Sequence, residues 1–398
     1  MMEEKAVRIK QNFIRKYEEG FPLLLKEAVA NPSVLEEEGE ILRIETEDGT
    51  FLGRGYYGEQ NKGAGWILTG NENEAIDQRL FEKKLMVALG RRTRFFEDEN
   101  TNVFRVVNGE GDGLGGLIID YYDGYYVIQW YSAGIYSFKK TIVDLILKTT
   151  DAVGIYEKKR FSEEGGYVSD DDFVAGAPAG FPLPVKENGM VFATYLNDGA
   201  MTGIFIDQRE IRKTLKEEYS KGKTVLNTFS YTGAFSVAAA LGGAVATTSV
   251  DAANRSREKT EEQFRMNEID PEEHRIIVDD VFQYYKRAAR RGESYDVVIL
   301  DPPSFARTKK TTFRAAKDYE KLLKETIPVT NEGGTIIAST NHAGMSRKKF
   351  RAFIDEAFKK TGHSYSILDS FSLPDDFLTD PAFPEGSYLK VYFIQKLS

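Results

Sequence analysis

Between Thr224 and Phe305, four short runs rich in β-branched and other apolar residues each stop at an acidic or amide residue and give way to a segment that reads as helix. The first lies in Thr-Val-Leu-Asn-Thr-Phe-Ser-Tyr-Thr-Gly-Ala-Phe, Thr224 to Phe235; the second is Thr-Thr-Ser-Val-Asp, ending at Asp251. The third is Ile-Ile-Val-Asp-Asp, ending at Asp280, and the fourth opens Val-Val-Ile-Leu-Asp-Pro-Pro-Ser-Phe, Val297 to Phe305. Apolar strands alternating with helices pack as a mostly parallel sheet covered on both faces, so this stretch predicts a doubly wound α/β fold. Ligands of such sheets sit beyond the carboxyl ends of the strands, which makes the four stops the candidate ligand residues.

Each stop has a physical use. The first strand ends at Asn227, and the turn Phe229-Ser230-Tyr231-Thr232-Gly233 brings the backbone close to a ligand before a helix that starts near Ala234. Asp251 can accept both hydroxyls of a ribose. Asp280 can take an amino group while Val281 and Phe282 flank a planar ring. Together these residues describe an adenosine-binding crevice. The turn argues against a pyrophosphate, because it has one glycine and no lysine where a dinucleotide or P-loop turn needs Gly-x-Gly-x-x-Gly or Gly-Lys-Ser/Thr. At the fourth stop, Asp301-Pro302-Pro303-Ser304-Phe305 sets two prolines after a buried strand, which aims backbone carbonyls over the crevice and leaves Phe305 as a stacking face.

These motifs, in this order, resemble motifs I, II and IV of the class I S-adenosylmethionine methyltransferases. More closely, the chain resembles the RlmI-like family of bacterial 23S rRNA methyltransferases. That resemblance extends to Arg105 to Leu117, to Thr202-Gly-Ile-Phe-Ile-Asp-Gln-Arg209 and to Asp380-Pro-Ala-Phe-Pro-Glu-Gly-Ser-Tyr-Leu-Lys390, almost the full length. It implies a PUA-like β-barrel over residues 1 to 75, a central α/β domain over 76 to 180, and a class I methyltransferase domain with a seven-stranded sheet over 181 to 398. It also implies S-adenosyl-L-methionine as cofactor and 23S rRNA, or its precursor particle, as partner. Phe205, Gln208 and Arg209 are implied to line the methionine side of the cofactor; a helix-start surface position is the alternative for Arg209.

The residues add a constraint that the resemblance does not carry. Cytosine-5 members of this family use a thiolate in the loop after the fifth strand, which adds to C6 of the pyrimidine. Here that strand is Thr335 to Ser339, the loop is Thr340-Asn341-His342-Ala343-Gly344-Met345, and the chain has no cysteine. Asn341 stands at the corresponding position, and an amide cannot form the adduct. Cysteine-dependent C5 methylation is therefore excluded. The carboxylate and carbonyls of Asp301 and Pro302 suit a target nitrogen, with Phe305 stacking a base taken out of its helix. A sibling branch methylates guanine N7 without cysteine. His342 can assist, although a lone loop histidine is more often structural.

Composition bounds the partners. The 398 residues carry 53 Lys and Arg against 62 Asp and Glu, a net charge of −9, which counts against a generic nucleic-acid binder. Local clusters offset this: Arg307, Lys309, Lys310, Arg314 and Lys317 follow the fourth strand, and Arg347, Lys348, Lys349 and Arg351 follow the fifth. Lys83, Lys84, Arg91, Arg92, Arg94 and Lys158 to Arg160 are further basic segments, and any one of these clusters is more often an ordinary solvated helix face. No apolar run approaches the roughly 18 residues of a membrane helix, and no signal-peptide pattern opens the sequence. A cytoplasmic location, no membrane partner and no metal site are expected, and a homodimer is left open. The glycine-rich Asn108 to Gly116 follows a strand with no helix behind it, so it predicts a structural turn. A protein amino-methyltransferase and a cofactor-binding ribosome-assembly factor without turnover are the other readings these residues allow.

Overall fold

The computed structural model describes residues 4–161, 172–307 and 312–398. The chain forms two compact units. The first comprises the described residues of Met1–Val185 with Tyr195–Thr202 and Asp375–Gly386; the second comprises Lys186–Thr194, Gly203–Pro374 and Ser387–Ser398.

Within the first unit, strands Lys5–Arg8, Ile41–Glu45, Phe51–Gln60, Gly63–Thr69 and Leu23–Leu25 form one sheet in that order. Its two edges meet through the Ile9 to Val29 bridge and through N–H donation from Lys10 to Ala28 and from Ala30 to Arg8, which closes a small barrel. A second sheet runs Phe173–Gly176, Gly154–Lys159, Tyr125–Trp130, Leu117–Tyr122 and Val103–Asn108. Both sheets contribute to one hydrophobic core, with Tyr56 and Trp66 from the barrel and Phe104 and Trp130 from the second sheet. The glycine-rich segment is a turn between the antiparallel strands Val103–Asn108 and Leu117–Tyr122, as its lack of a following helix predicts. A Cβ on Gly111 would stand 1.9 Å from the Leu378 carbonyl oxygen, so this turn lies tight against the Asp375–Gly386 segment.

The second unit is built on a seven-stranded sheet. Its strands are β1 (Thr224–Thr228), β2 (Ala246–Asp251), β3 (Arg275–Val278), β4 (Tyr295–Leu300), β5 (Thr330–Thr340), β6 (Tyr365–Phe371) and β7 (Lys390–Lys396). Their order is β3-β2-β1-β4-β5-β7-β6, with β7 antiparallel to both its neighbours and the pairs from β3 through to β5 parallel. The connecting helices are α1 (Ala234–Leu241), α2 (Ser256–Met266), α3 (Val281–Arg290), α4 (Ala315–Thr326) and α5 (Arg347–Thr361). Strand order reverses direction after β3. Right-handed crossovers therefore send α1 and α2 to one face and α3, α4 and α5 to the other. The latter face is closed by Tyr285, Tyr319, Phe350 and Phe358. The switch point between β1 and β4 puts the ends of those strands beside a natural crevice.

Candidate active site at the strand ends

The turn after β1 is made by backbone. Phe229, Tyr231 and Gly233 have φ of 56°, 52° and 82°, so three of five residues sit in the left-handed region. The end of β2 holds them there. The Ser230 N–H donates to the Val250 carbonyl (3.1 Å) and the Tyr231 N–H to Asp251 Oδ2 (2.9 Å). Asp251 Oδ1 accepts from the Ala253 N–H at 2.8 Å. Thr232 donates its hydroxyl to the Gly203 carbonyl at 2.7 Å, fastening the turn to the segment that carries Phe205, Gln208 and Arg209. A Cβ on Gly233 would fall 2.5 Å from Thr260 Cγ2, so the start of α1 can approach α2 only as glycine. Burial raises the Asp251 carboxyl above its ordinary value, against the pull of its backbone donors.

Asp280 caps α3 through the Phe282 and Gln283 N–H groups. Two predicted cofactor residues have buried side chains. Asn227 is 1% exposed and donates Nδ2 to Ser236 Oγ, whose hydroxyl meets that of Ser249. Val281 is buried in the core beneath α3, because capping by Asp280 starts the helix there and its first turn faces the sheet. Phe282 is likewise packed into that core.

On the other side of the switch point the site is made of side chains. Gln208 Nε2 donates to Asp301 Oδ1 and to Ser339 Oγ, both at 2.9 Å. Gln208 Oε1 is buried and accepts nothing. The Asp301 carboxyl is pushed up to about 7, mainly by burial and further by the charge of Asp207, while Ser339, Arg212 and Gln208 pull it down. Pro302 is buried, Pro303 exposed, and Phe305 stands 55% exposed. Ser304 donates its hydroxyl to Asn341 Oδ1 at 2.8 Å, joining the loop after β4 to the loop after β5.

Arg209 is 2% exposed, which removes the surface alternative for it. Arg212, one turn further on, makes a buried bidentate pair with Glu187 (2.7 and 2.6 Å) and donates to the Phe205 carbonyl at 2.8 Å. Phe205 itself is 39% exposed, its ring 5.3 Å from that of Tyr231. Sequence reasoning missed Arg212 and Ser339, which do not stand out locally, and gave no role to Asp207 and Ser304 although both lie inside its motifs. It quoted Tyr388 and Lys390 without giving them a use; Tyr388 donates to Asp207 Oδ2 at 2.9 Å. Among the described residues no three His, Asp or Glu side chains gather as metal ligands.

Arg307, Arg314 and Lys317, and Arg347, Lys348, Lys349 and Arg351, are exposed; Lys309 and Lys310 lie outside the described residues. In the first unit Lys83, Arg91 and Arg94 are exposed, as solvated faces would be, whereas Arg92 and Lys158 are buried. Arg92 is 1% exposed and bidentate on Asp112 (2.6 and 2.8 Å), Lys158 is buried against Asp172, and Lys83 and Arg94 pair with Glu74 and Asp375. Arg92 also donates to the Asp376 carbonyl at 2.6 Å.

An adenosine-type cofactor fits what the crevice offers: a turn pinned in the left-handed region, a strand-end carboxylate, an exposed ring at Phe205 and an unmatched buried acceptor at Gln208 Oε1. The family model for S-adenosylmethionine-dependent methyltransferases matches residues 157–385, and a PUA-like domain matches residues 7–70. The chain is 56% identical, over 98% of its length and all of the relative's, to YwbD of Bacillus subtilis (strain 168), provisionally named a ribosomal RNA large subunit methyltransferase. It is 29% identical to ribosomal RNA large subunit methyltransferase I of Klebsiella pneumoniae (strain 342), over 93% of this chain and 92% of that one. The crystal structure of SMU.776, provisionally described as a methyltransferase and complexed with SAH, superposes with a TM-score of 0.90 at 37% identity, covering 98% and 99% of the two chains. The chain therefore belongs to the S-adenosylmethionine-dependent methyltransferases, in the RlmI-like group with a PUA-like domain ahead of the methyltransferase domain, and within that group it has no cysteine.

Proposed function

We propose that this methyltransferase modifies a base nitrogen of 23S rRNA, or of its precursor particle, in the cytoplasm. The observation that carries this reading is the target side of the crevice. It offers acceptors at Asp301 and Pro302, an amide at Asn341 and an exposed ring at Phe305, with no thiol anywhere in the chain. The names of the relatives supply the RNA, and the PUA-like barrel over residues 1 to 75 is assigned to docking it, with 76 to 180 as the connecting domain and 181 to 398 as the chemical one.

Phe205, Gln208, Arg209, the turn Phe229 to Gly233, Asp251, Asp280 and Asp301 would hold S-adenosylmethionine, with Asn227 and Val281 supporting them from beneath. When bound, the cofactor supplies an electrophilic methyl group on a sulfonium. The chain's own residues do the rest. Phe305 stacks the extruded base. The Asp301 carboxylate and the Pro302 carbonyl accept hydrogen bonds from its nitrogen edge and hold the lone pair in line. Asn341, steadied by the Ser304 hydroxyl, offers the base an amide in place of a nucleophile. Because Asp301 sits among groups that hold its carboxyl near 7, it can keep or release a proton within the working range.

The test is transfer of labelled methyl from S-adenosylmethionine to total RNA from a strain lacking the gene, followed by nucleoside mass spectrometry. A labelled N-methylated base is expected. Labelled 5-methylcytosine would overturn the nitrogen assignment, and label in protein alone would overturn the RNA assignment.

A further inference from the structure

The motif Asp380 to Lys390 has so far been given no work. Its last residues, Tyr388 and Lys390, lie in the second unit, where β7 begins opposite the end of β5: Lys390 is the register partner of Thr340, the residue before Asn341. Lys390 is only 5% exposed, and among the described residues burial and the Arg347 charge, with no carboxylate, set its electrostatics. Its ammonium instead donates to two carbonyls, those of Tyr388 (2.9 Å) and His342 (3.3 Å). Burying a cation without a counter-charge is costly, and burial pulls the Lys390 ammonium below the ordinary lysine value, with Arg347 adding to the effect. An ammonium has three donors and no acceptor, so it suits gathering carbonyls from separate segments.

The two carbonyls belong to the two sides of the reaction. His342 follows Asn341 in the target-side loop, and its carbonyl also accepts from the Met345 N–H at 3.0 Å. Tyr388 reaches the other way, to Asp207, whose neighbour Gln208 holds Asp301 and Ser339. We propose that Tyr388 and Lys390 are positioning residues for methyl transfer, a brace that ties the Asn341 to Met345 loop and the Asp207-Gln208 segment to the start of β7. The brace keeps Asn341 and Asp301 at fixed separation while the base enters.

A second lysine on the same strand provides the control. Lys396 at the far end of β7 is 6% exposed and likewise donates to two carbonyls, of Ile327 (3.1 Å) and Thr330 (2.9 Å), away from the strand-end crevice. Three variants of the full chain, Lys390→Met, Lys390→Arg and Lys396→Met, are compared in methyl transfer to RNA, in S-adenosylhomocysteine binding and in thermal melting. Lys390→Met should lower kcat by about 30- to 100-fold, the scale of a misplaced catalytic geometry, with S-adenosylhomocysteine affinity within about threefold. Lys390→Arg should restore part of kcat. Lys396→Met should lower the melting temperature yet keep kcat within about twofold. A Lys390→Met enzyme with unchanged kcat overturns the brace, as does loss of kcat that tracks melting temperature equally in both methionine variants. The kcat comparison rests on the RNA reading above, so amide hydrogen exchange at residues 341–346 is measured without RNA. Faster exchange in Lys390→Met is expected; unchanged exchange overturns the brace even if wild-type protein labels no RNA.

Discussion

Two carboxylates end neighbouring regions of one sheet edge, and they are held in opposite ways. Asp251, at the end of β2, is gripped by the N–H groups of Tyr231 and Ala253. Asp301, after β4, is held by the Gln208 side chain beside Ser339, with Asp207 nearby. The β1-β2-β3 half of the edge is thus built from main chain, and its geometry follows from strand ends and a turn. The β4-β5-β7 half is built from side chains drawn from remote segments. Main chain suits a ligand that does not vary, because it leaves little for substitution to change. Side chains suit chemistry that must be tuned, since one residue can alter charge, hydrogen bonding or access.

The sharpest way to break this contrast is Asp301→Asn. It should lower kcat by about 10³-fold, well beyond any loss of S-adenosylhomocysteine affinity, because under the proposed nitrogen methylation it removes an acceptor at the reacting atom. In the native chain, activity should rise with pH through about 7 as the carboxyl ionises. The stability effect has the other sign. Burial raises this carboxyl from 3.8 to about 7, so its contribution is fully present below the unfolded value and is lost as pH rises through 7. Asparagine does not titrate, so urea unfolding should show Asp301→Asn more stable than native at pH 8 by on the order of 2 kcal/mol, an advantage that shrinks toward pH 5.

The other half should respond in affinity. Gly233→Ala strains a position at φ 82° and drives a methyl against Thr260. We expect S-adenosylhomocysteine binding, measured by calorimetry, to weaken by about 10- to 100-fold, with about 1–3 kcal/mol lost from stability. Asp251→Asn should weaken the same binding about tenfold, since an NH2 group that only donates replaces one of the two oxygens that accept from Tyr231 and Ala253, and should leave kcat at saturating cofactor near the native value. An Asp251→Asn enzyme with native affinity and a collapsed kcat would erase the division between the halves. The smallest effect belongs to Phe305→Ala: KM for RNA up about threefold to tenfold, no change in cofactor affinity, and stability within about 0.5 kcal/mol, because the ring is exposed.

What could be read in advance follows the same line. The stops at Asp251 and Asp301 and the turn Phe229 to Gly233 were legible because strand, turn and helix start lie within a few residues of one another, where sterics and capping act locally, whereas the first strand runs past the expected stop at Asn227 to Thr228. The burial of the Asn227 side chain was not legible, since it depends on Ser236 and Ser249 meeting it across two elements. Nor was the fate of the basic residues. Arg92 and Lys349 look alike as letters, yet one is sealed onto Asp112 and the other is exposed on α5.

From sequence alone came the strand ends of the crevice, the lack of pyrophosphate chemistry in its turn, and the exclusion of a thiolate mechanism, which follows from a residue count and needs no coordinates. Tertiary structure decided which carboxylate would be held by backbone and which by side chains, which cations would stay exposed, and that Gln208, Asp301, Ser339 and Lys390 would meet at one edge. The reason is physical. Local conformation is set by neighbours in the chain, whereas the protonation and partners of a buried group are set by whatever packing brings beside it, and these residues come from segments about 40 to 180 positions apart.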